Sequence, residues 1–227
     1  MAAAGAFTLS ASAGLGGSLI LVPALALALG TKEGIALAAL LLALNNVVKI
    51  FAYRRTIPWA ASALVIVLTI AGAAVGAGLL VAAPESLVST AVIASILLSL
   101  LGERLERRRA QRAASPVLAF ASGATSGFSG TSGPLKGIAL RHLQLDRFHM
   151  AGAASAVSFA GDATKTAIFA DASLLGSQSL VVAAFCVPLM LAATFTGRRL
   201  NRTVGERGYA MLFWAVMFGY SARLALG

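Results

Sequence analysis

Long apolar runs separated by short polar stretches dominate the hydropathy pattern of the chain. Most of the runs are about 17 to 25 residues long, which is the length of α-helix that crosses a lipid bilayer. They cover residues 5–30, 34–53, 58–83, 86–102, 116–140, 148–170, 176–197 and 208–225. The pattern therefore predicts an all-α polytopic membrane protein, with residues 1–227 forming a single membrane domain.

Glycine- and hydroxyl-rich breaks interrupt two of these runs. The first break covers residues 14–18 and the second covers residues 127–133. Exposed peptide groups are costly in lipid, so irregular backbone at that depth must be buried in protein or line a cavity. Matched breaks in two halves of a chain indicate the binding site of a secondary transporter.

The order of the runs predicts two repeats, each with one broken segment followed by three unbroken ones. Repeat 1 covers residues 1–102, a basic linker covers 103–115, and repeat 2 covers 116–227. Short similarities that recur in the same order support the repeat. They pair Gly14-x-x-Gly17 with Gly127-x-x-Gly130, Asn46-Val47-Val48-Lys49 with Asp162-Ala163-Thr164-Lys165, and Pro84-Glu85 with Gly205-Glu206.

Composition and charge narrow the class of protein. Hydrophobic residues make up 59% of the chain and charged residues only 11%, against about 25% charged residues in soluble domains. The net charge of +10 does not indicate nucleic-acid binding, because most basic residues lie in short loops, as they do on the cytoplasmic side of membrane proteins. The single cysteine, Cys186, excludes an intrachain disulfide and a cysteine-based metal site. We expect neither a metal nor a cofactor.

The basic loops also predict the orientation of the helices. With the linker and Arg54-Arg55 in the cytoplasm, helices 34–53 and 86–102 start outside and helix 58–83 starts inside. With the basic stretch 198–207 also in the cytoplasm, helix 176–197 starts outside and helix 148–170 starts inside. Segment 116–140 must then begin and end on the cytoplasmic side.

Each arm of that segment spans roughly 16 to 20 Å, about half of a bilayer. We therefore predict a re-entrant helical hairpin with its tip near the midplane. By symmetry, segment 5–30 is a hairpin that enters from outside. Each repeat then makes three crossings, so the two repeats are inverted. Two tilted full spans in each broken segment remain the alternative.

The tips of the two hairpins are candidate substrate-binding sites. At each tip a half-helix begins inside the membrane, and its unpaired N–H groups and partial positive charge favour an anion. The candidate residues are Gly14, Gly16, Gly17 and Ser18 in the first break, and Gly127, Ser129, Gly130, Thr131 and Ser132 in the second. The alternative is that small residues serve helix packing, as in Gly123-x-x-x-Gly127. Packing is our prediction for Gly72, Gly76 and Gly78.

Polar residues inside two apolar helices are the second group of candidates. They are Asn45, Asn46 and Lys49 in helix 34–53, and Asp162 and Lys165 in helix 148–170. Residues three apart share a helix face, and ionisable residues at such depth are usually functional. Lys49 can alternatively extend to the membrane interface. Asp162 either neutralises Lys165 or carries a coupled proton.

The pattern G-x-G-G-x-x-x-x-x-P from Gly14 to Pro23 resembles the sulfite exporter TauE/SafE family, which groups with 4-toluene sulfonate uptake permease-like transporters. A second, degenerate copy runs from Gly127 to Pro134. The resemblance covers nearly the whole chain. It implies outward transport of sulfite, sulfoacetate or a related organosulfur anion across the bacterial plasma membrane. Family members often carry glycine where this chain has Ser18, Ser129 and Thr131, so the ligand preference can differ.

We therefore interpret the chain as a secondary transporter that exports sulfite or a small organosulfonate anion by alternating access at a midplane site. Its expected partners are that anion and the lipid bilayer, and the sequence leaves a homodimer open. No intramembrane histidine cluster or catalytic pair is visible, so we expect no enzyme activity. The alternatives are a proton- or cation-coupled transporter of another small metabolite, with Asp162 carrying the cation, and a membrane scaffold subunit that transports nothing.

Overall fold

The computed structural model describes residues 17–105, 115–131, 133–177, 179–185 and 188, and the regular structure within them is all helical. This confirms the all-α prediction for the described residues. In chain order, the helices are α1 (Gly17–Leu29), α2 (Thr31–Tyr53), α3 (Trp59–Ala82), α4 (Glu85–Leu105), α5 (Ser115–Ser129), α6 (Gly133–Arg141) and α7 (Arg147–Asp171). A further helical stretch follows at 179–185. The first arm of the first broken segment, the linker from 106 to 114 and the predicted helix 208–225 lie outside the described residues.

α1 and α2 form a tight antiparallel pair. The chain reverses at Gly30, whose φ of +107° lies in the left-handed region that glycine tolerates. A Cβ atom at Gly34 would lie 2.4 Å from the backbone nitrogen of Ala26, so the two helices touch backbone to backbone. The two helices are antiparallel and have the same rise of about 1.5 Å per residue, so moving from Ala26 back to Gly17 corresponds to moving from Gly34 forward to Ala43. Gly17 is therefore level with the middle of α2. α1 therefore begins about halfway along its neighbour.

Glycines bring α3 and α5 into close contact. A Cβ atom at Gly72 would lie 2.1 Å from the carbonyl oxygen of Phe120, and one at Gly76 would lie 2.1 Å from that of Ala124. The packing role predicted for these two glycines is confirmed. For Gly78 the described residues give no support to this prediction, because a Cβ atom there would meet none of them within 4 Å.

The glycines of α5 make the reciprocal contacts. A Cβ atom at Gly123 would lie 2.3 Å from the carbonyl oxygen of Thr69, and one at Gly127 would lie 2.5 Å from that of Ala73. Small residues at this spacing let helix backbones approach closely. Residue numbers rise together along the two helices, so α3 and α5 are parallel and enter the fold from the same end.

α6 returns toward the end of the fold at which α5 begins. Its Ala139 and Leu140 belong to a buried cluster with Ala153 and Val157 of α7 and Val65 of α3. α5 has 15 residues and α6 has nine, so they span about 22 Å and about 13 Å. Neither helix is long enough to cross the hydrocarbon core of about 30 Å. The described part of segment 116–140 therefore folds back on itself, as a re-entrant hairpin requires.

The turn between α5 and α6 lies deeper than the sequence predicts. The backbone nitrogen of Phe128 lies 2.9 Å from the position of a Cβ atom at Gly76. Gly76 is six residues before the end of α3 at Ala82. The turn is therefore not level with the middle of α3 but lies closer to its C-terminal end. The 15 residues of α5 make it long enough to reach this depth.

α7 begins beside the turn that joins α2 to α3. Asp146 caps its first turn by accepting hydrogen bonds from the backbone N–H groups of Phe148 and His149. The hydrogen bonds from the backbone and the ring of His149 lower the pKa of Asp146. A Cβ atom at Gly152 would lie 2.6 Å from the carbonyl oxygen of Thr56, in the α2–α3 turn. α7 consequently runs parallel to α3 and antiparallel to α2.

α4 begins at the opposite end of the fold, beside the start of α2. The backbone N–H of Thr31 donates to Oε1 of Glu85 at 2.8 Å, and the hydroxyl groups of Thr31 and Ser89 are 2.8 Å apart. α2 and α4 thus start at one end, while α3, α5 and α7 start at the other. These are the relative directions that the basic loops predict.

The outer surface of the described helices is strongly apolar. Leu64, Val67 and Leu79 of α3 and Leu98 of α4 are each at least 57% exposed. Within the described residues, α2 and α3 are long and apolar enough to cross a membrane, and Glu85–Leu98 is a shorter apolar helix. Large exposed apolar side chains on such helices are suited to lipid contact. The surface agrees with a membrane protein.

Candidate functional site

A buried polar network connects three helices. Lys165 of α7 is completely buried, and its Nζ lies 2.7 Å from Oδ1 of Asp162 and donates to Oγ of Ser126 on α5 at 2.9 Å. The other carboxylate oxygen of Asp162 accepts a 2.8 Å hydrogen bond from Nδ2 of Asn46 on α2. Three candidate residues predicted from the sequence, Asn46, Asp162 and Lys165, are therefore in direct contact. Because α2 belongs to the predicted first repeat and α5 and α7 to the second, the network joins the two.

The network lies near the centre of the helices that carry it. Asn46 and Asp162 are each within about four residues, roughly 6 Å, of the middle of their helix. Asn46 is 4% exposed and Asp162 is 7% exposed, and the neighbouring Asn45 is 5% exposed. Charges at this depth are costly unless they are paired and hydrogen-bonded. Here the ammonium and both carboxylate oxygens have partners.

The contacts between α2 and α7 locate Lys49. Asn46 pairs with Asp162, and ten residues further along α2 and the following turn, Thr56 meets Gly152. In this antiparallel register Lys49 is level with about Phe159, toward the predicted cytoplasmic end. Its side chain is half-buried and interacts electrostatically with Asp162. It makes no hydrogen bond or salt bridge with the part of the chain that the structure describes.

A further lysine, Lys136, belongs to the same site and is absent from the sequence-based candidates. Its Nζ donates to Oγ of Ser158 at 2.8 Å, one turn before Asp162 on α7. Lys136 interacts electrostatically with Asp162, Lys49 and Lys165. The signal that could have found it is a cation inside an apolar run, six residues after Gly130. Ser126 and Ser158 were also missed, since serine is ordinary in membrane helices.

The turn of the second hairpin contacts the first one. Gly130 has a φ of +76°, and a Cβ atom there would lie 2.8 Å from Cγ2 of Val22 on α1. Val22 is one helical turn after Ser18, which is half-buried in the first turn of α1. Thr131 is buried, and its hydroxyl lies 3.0 Å from that of Ser95 on α4. The candidate turn residues Gly130 and Thr131 thus touch the first half of the chain.

One residue links this turn to the lysine network. The carbonyl oxygen of Ser126 accepts the backbone N–H of Gly130 at 3.0 Å, while its hydroxyl accepts from Lys165. The buried hydroxyl of Ser129 donates to the carbonyl oxygen of Thr125 at 2.8 Å. A movement of this turn would therefore also move Ser126, whose hydroxyl accepts the hydrogen bond from Lys165.

The remaining candidates differ in position. Gly127 faces α3, so its missing side chain serves helix packing, the alternative that the sequence left open. Gly17 is the first residue of α1. Gly14, Gly16 and Ser132 lie outside the described residues.

The chemistry of the site favours an anion. Three ammonium groups, from Lys49, Lys136 and Lys165, share the site with one carboxylate, from Asp162. In the described part of the chain, no group of three or more His, Cys, Asp or Glu side chains is suited to hold a metal ion. α6 begins at Gly133, three residues before Lys136, and a helix N-terminus adds a partial positive charge. A small anion is the ligand that such a site would stabilise.

Comparison with known proteins gives one match. A family model described as Sulfite exporter TauE/SafE matches residues 1–224, and it confirms the resemblance carried by the glycine-rich motifs. No curated protein and no solved structure matches the chain. The matched family consists of membrane transporters rather than enzymes.

Proposed function

Because the chain belongs to the sulfite exporter TauE/SafE family, we propose that it is a secondary transporter that exports sulfite or a small organosulfonate anion across the plasma membrane. Membership of the family makes it a membrane transport protein and excludes an enzyme. The observation that carries the choice of an anion is the buried Asn46–Asp162–Lys165 network beside two further lysines. The net charge of this site is positive, although it lies between long apolar helices.

The transported anion would bind between this network and the turns of the two hairpins. Buried ammonium groups stabilise an oxyanion through charge-assisted hydrogen bonds. The contact between Gly130 and Val22 holds the second turn close to the beginning of α1. The N-terminus of α6, which follows this turn at Gly133, adds the partial positive charge that an oxyanion prefers. Both repeats would then contribute to one site.

The position of the network between the two predicted repeats supports the proposal of alternating access. The Asn46–Asp162 hydrogen bond connects α2 of the first repeat to α7 of the second. Transporters built from inverted repeats work by moving one part against another around a central site. In this proposal, separation of α2 from α7 breaks this bond and changes the side from which the lysines are reached.

The geometry bears on the rival in which Asp162 carries a proton or another cation. Both of its oxygens are occupied, one by Lys165 and the other by Asn46. This geometry favours the interpretation in which Asp162 neutralises and positions Lys165. The remaining rival, a scaffold subunit, would transport nothing.

A flux assay with four solutes tests the substrate class. The purified chain is reconstituted into liposomes loaded with sulfite, sulfoacetate, taurine or chloride. We expect sulfite or sulfoacetate to leave faster than from protein-free liposomes, and zwitterionic taurine and chloride to leave at the protein-free rate. Release of taurine alone would favour another metabolite. Release of none of the four would favour the scaffold.

A further inference from the structure

Among the described residues, Lys49 and Lys136 are the two cations of the site without a carboxylate partner. The Lys136 ammonium donates to a neutral hydroxyl, that of Ser158. Lys49 makes no hydrogen bond or salt bridge with the described residues. The acidic group that interacts electrostatically with both lysines is Asp162, which is already paired with Lys165. Three ammonium groups against one carboxylate leave two positive charges without a counter-charge.

These two lysines lie on the same side of the Asn46–Asp162 hydrogen bond. Ser158, which binds Lys136, is four residues before Asp162 on α7. In the antiparallel register of α2 and α7, Lys49 is level with the neighbouring Phe159. Lys165 lies on the other side, three residues after Asp162. Lys49 and Lys136 are therefore carried by different helices, α2 and α6, on the same side of Asp162, and they interact electrostatically.

The orientation of the helices makes this the predicted cytoplasmic side. α2 ends there and α7 begins there, beside the basic turn that contains Arg54 and Arg55. A substrate leaving the cell would reach Lys49 and Lys136 before it reached Lys165. Two half-buried cations without a carboxylate partner among the described residues suit a ligand with two negative charges, because a monoanion would compensate only one of them.

We propose that Lys49, Lys136 and the Ser158 hydroxyl form a binding site for a dianion on the cytoplasmic side of the Asn46–Asp162 hydrogen bond. The inference rests on the proposed function and adds the charge of the substrate and the groups that select it. Lys165 and Asp162 neutralise each other, so Lys49 and Lys136 supply the net charge of this site, and Lys165 borders it as a further hydrogen-bond donor.

Two sulfonates of similar size test the selection by charge. Sulfoacetate carries a sulfonate and a carboxylate, whereas in isethionate a hydroxymethyl group replaces the carboxylate. Equilibrium binding of each to the purified full-length chain is measured at neutral pH. We expect the wild-type chain to bind sulfoacetate at least about tenfold more tightly, as one additional charge-assisted hydrogen bond would provide.

Variants of Lys49 and Lys136 test whether these residues cause the preference for sulfoacetate over isethionate. In Lys49→Met and Lys136→Met, sulfoacetate should bind about tenfold more weakly while isethionate changes little. Lys136→Arg keeps the charge and should keep part of the preference. Lys32→Met is the matched control, because the Lys32 ammonium donates to the carbonyl oxygen of Val81 at the opposite end of the fold. This control should bind like the wild-type chain.

The outcomes separate this inference from the function on which it rests. Equal binding of both sulfonates by the wild-type chain would overturn the dianion site, while anion transport would stand. An unchanged preference in both methionine variants would overturn the assignment to these lysines. If either methionine variant does not fold, the dianion site is still tested by the comparison of the two sulfonates in the wild-type chain and by Lys136→Arg. Absence of any anion flux in the four-solute assay would instead reject the proposed function.

Discussion

At the scale of single residues, the account depends on how Asp162 and Lys165 hold each other. A buried ion pair contributes little net stability, but removing one partner leaves an expensive unpaired charge. Asn46 and Ser126 occupy the remaining positions around the pair. These contacts hold Lys165 in place while its side chain keeps its positive charge.

Asp162→Asn separates positioning from proton coupling. The amide removes the counter-charge of Lys165, so the free energy of unfolding should fall by about 3 kcal/mol. Sulfite affinity should be retained or increased, because the site becomes more positive. Sulfite flux should respond to a pH gradient as it does in the wild-type chain. Asn46→Ala is the control, since it removes the hydrogen bond to the same carboxylate and leaves its charge. Loss of the response to a pH gradient in Asp162→Asn alone would make Asp162 the proton carrier.

The sequence predicted this pair but not its surroundings. Asp162 and Lys165 stand out because charged residues three apart in an apolar helix share one face. Lys136 also lies inside an apolar run, yet it follows a glycine-rich break and has no charged neighbour at helical spacing. Its connection to Ser158 exists only when α6 folds back along α7, and local sequence does not specify that contact.

At the scale of secondary-structure elements, α3 and α5 owe their close contact to glycine. The glycines of each helix face carbonyl oxygens of the other at distances that exclude a side chain. Because α5 carries Ser126 and leads into the turn at Gly130, this packing also fixes the depth of the site.

Two alanine substitutions on one helix test the packing. In Gly76→Ala the new methyl group meets the Ala124 carbonyl oxygen, so the free energy of unfolding should fall by about 1–3 kcal/mol, as overpacking does. Gly78→Ala adds the same methyl group to open space and should be neutral or stabilising by up to about 1 kcal/mol, because alanine favours helix. Thermal unfolding in detergent compares the two variants. Equal stability would contradict the role of the α3–α5 contact.

The ends of the helices were predictable from local sequence, and the depth of the hairpin was not. The predicted segments 34–53 and 58–83 correspond to Thr31–Tyr53 and Trp59–Ala82, since polar and proline-containing turns delimit them. The break at 127–133 separates α5 from α6 as predicted. The depth that α5 reaches depends on where its glycines meet those of α3. The sequences of the two helices do not specify this packing register.

At the scale of the whole molecule, the directions of the described helices fit the orientation predicted from the basic loops. α2 and α4 start at one end, and α3, α5 and α7 start at the other. The second broken segment enters and leaves at the end where α3 starts. Inverted repeats remain a prediction, because the first arm of the first hairpin and much of the last two predicted helices lie outside the described residues.

In addition to the α3–α5 packing, several contacts between the two predicted repeats involve the polar network and the turn of the second hairpin. The Asn46–Asp162 hydrogen bond, the Ser95–Thr131 hydroxyl pair and the packing of Val22 on Gly130 all cross from one to the other. A scaffold has no need for charged groups in such an interface. A transporter needs them where its substrate passes.

Sulfite efflux from liposomes tests this account most directly, with three forms of the chain at equal protein amounts. The wild-type chain should release sulfite well above protein-free liposomes, and Lys32→Ala should match it. Lys165→Ala combined with Asp162→Asn leaves no unpaired buried charge, yet it removes a cation of the site. This variant should therefore lose at least about tenfold in rate. Wild-type release at the protein-free rate, or full activity in the double variant, would contradict the claim that these buried groups bind a transported anion.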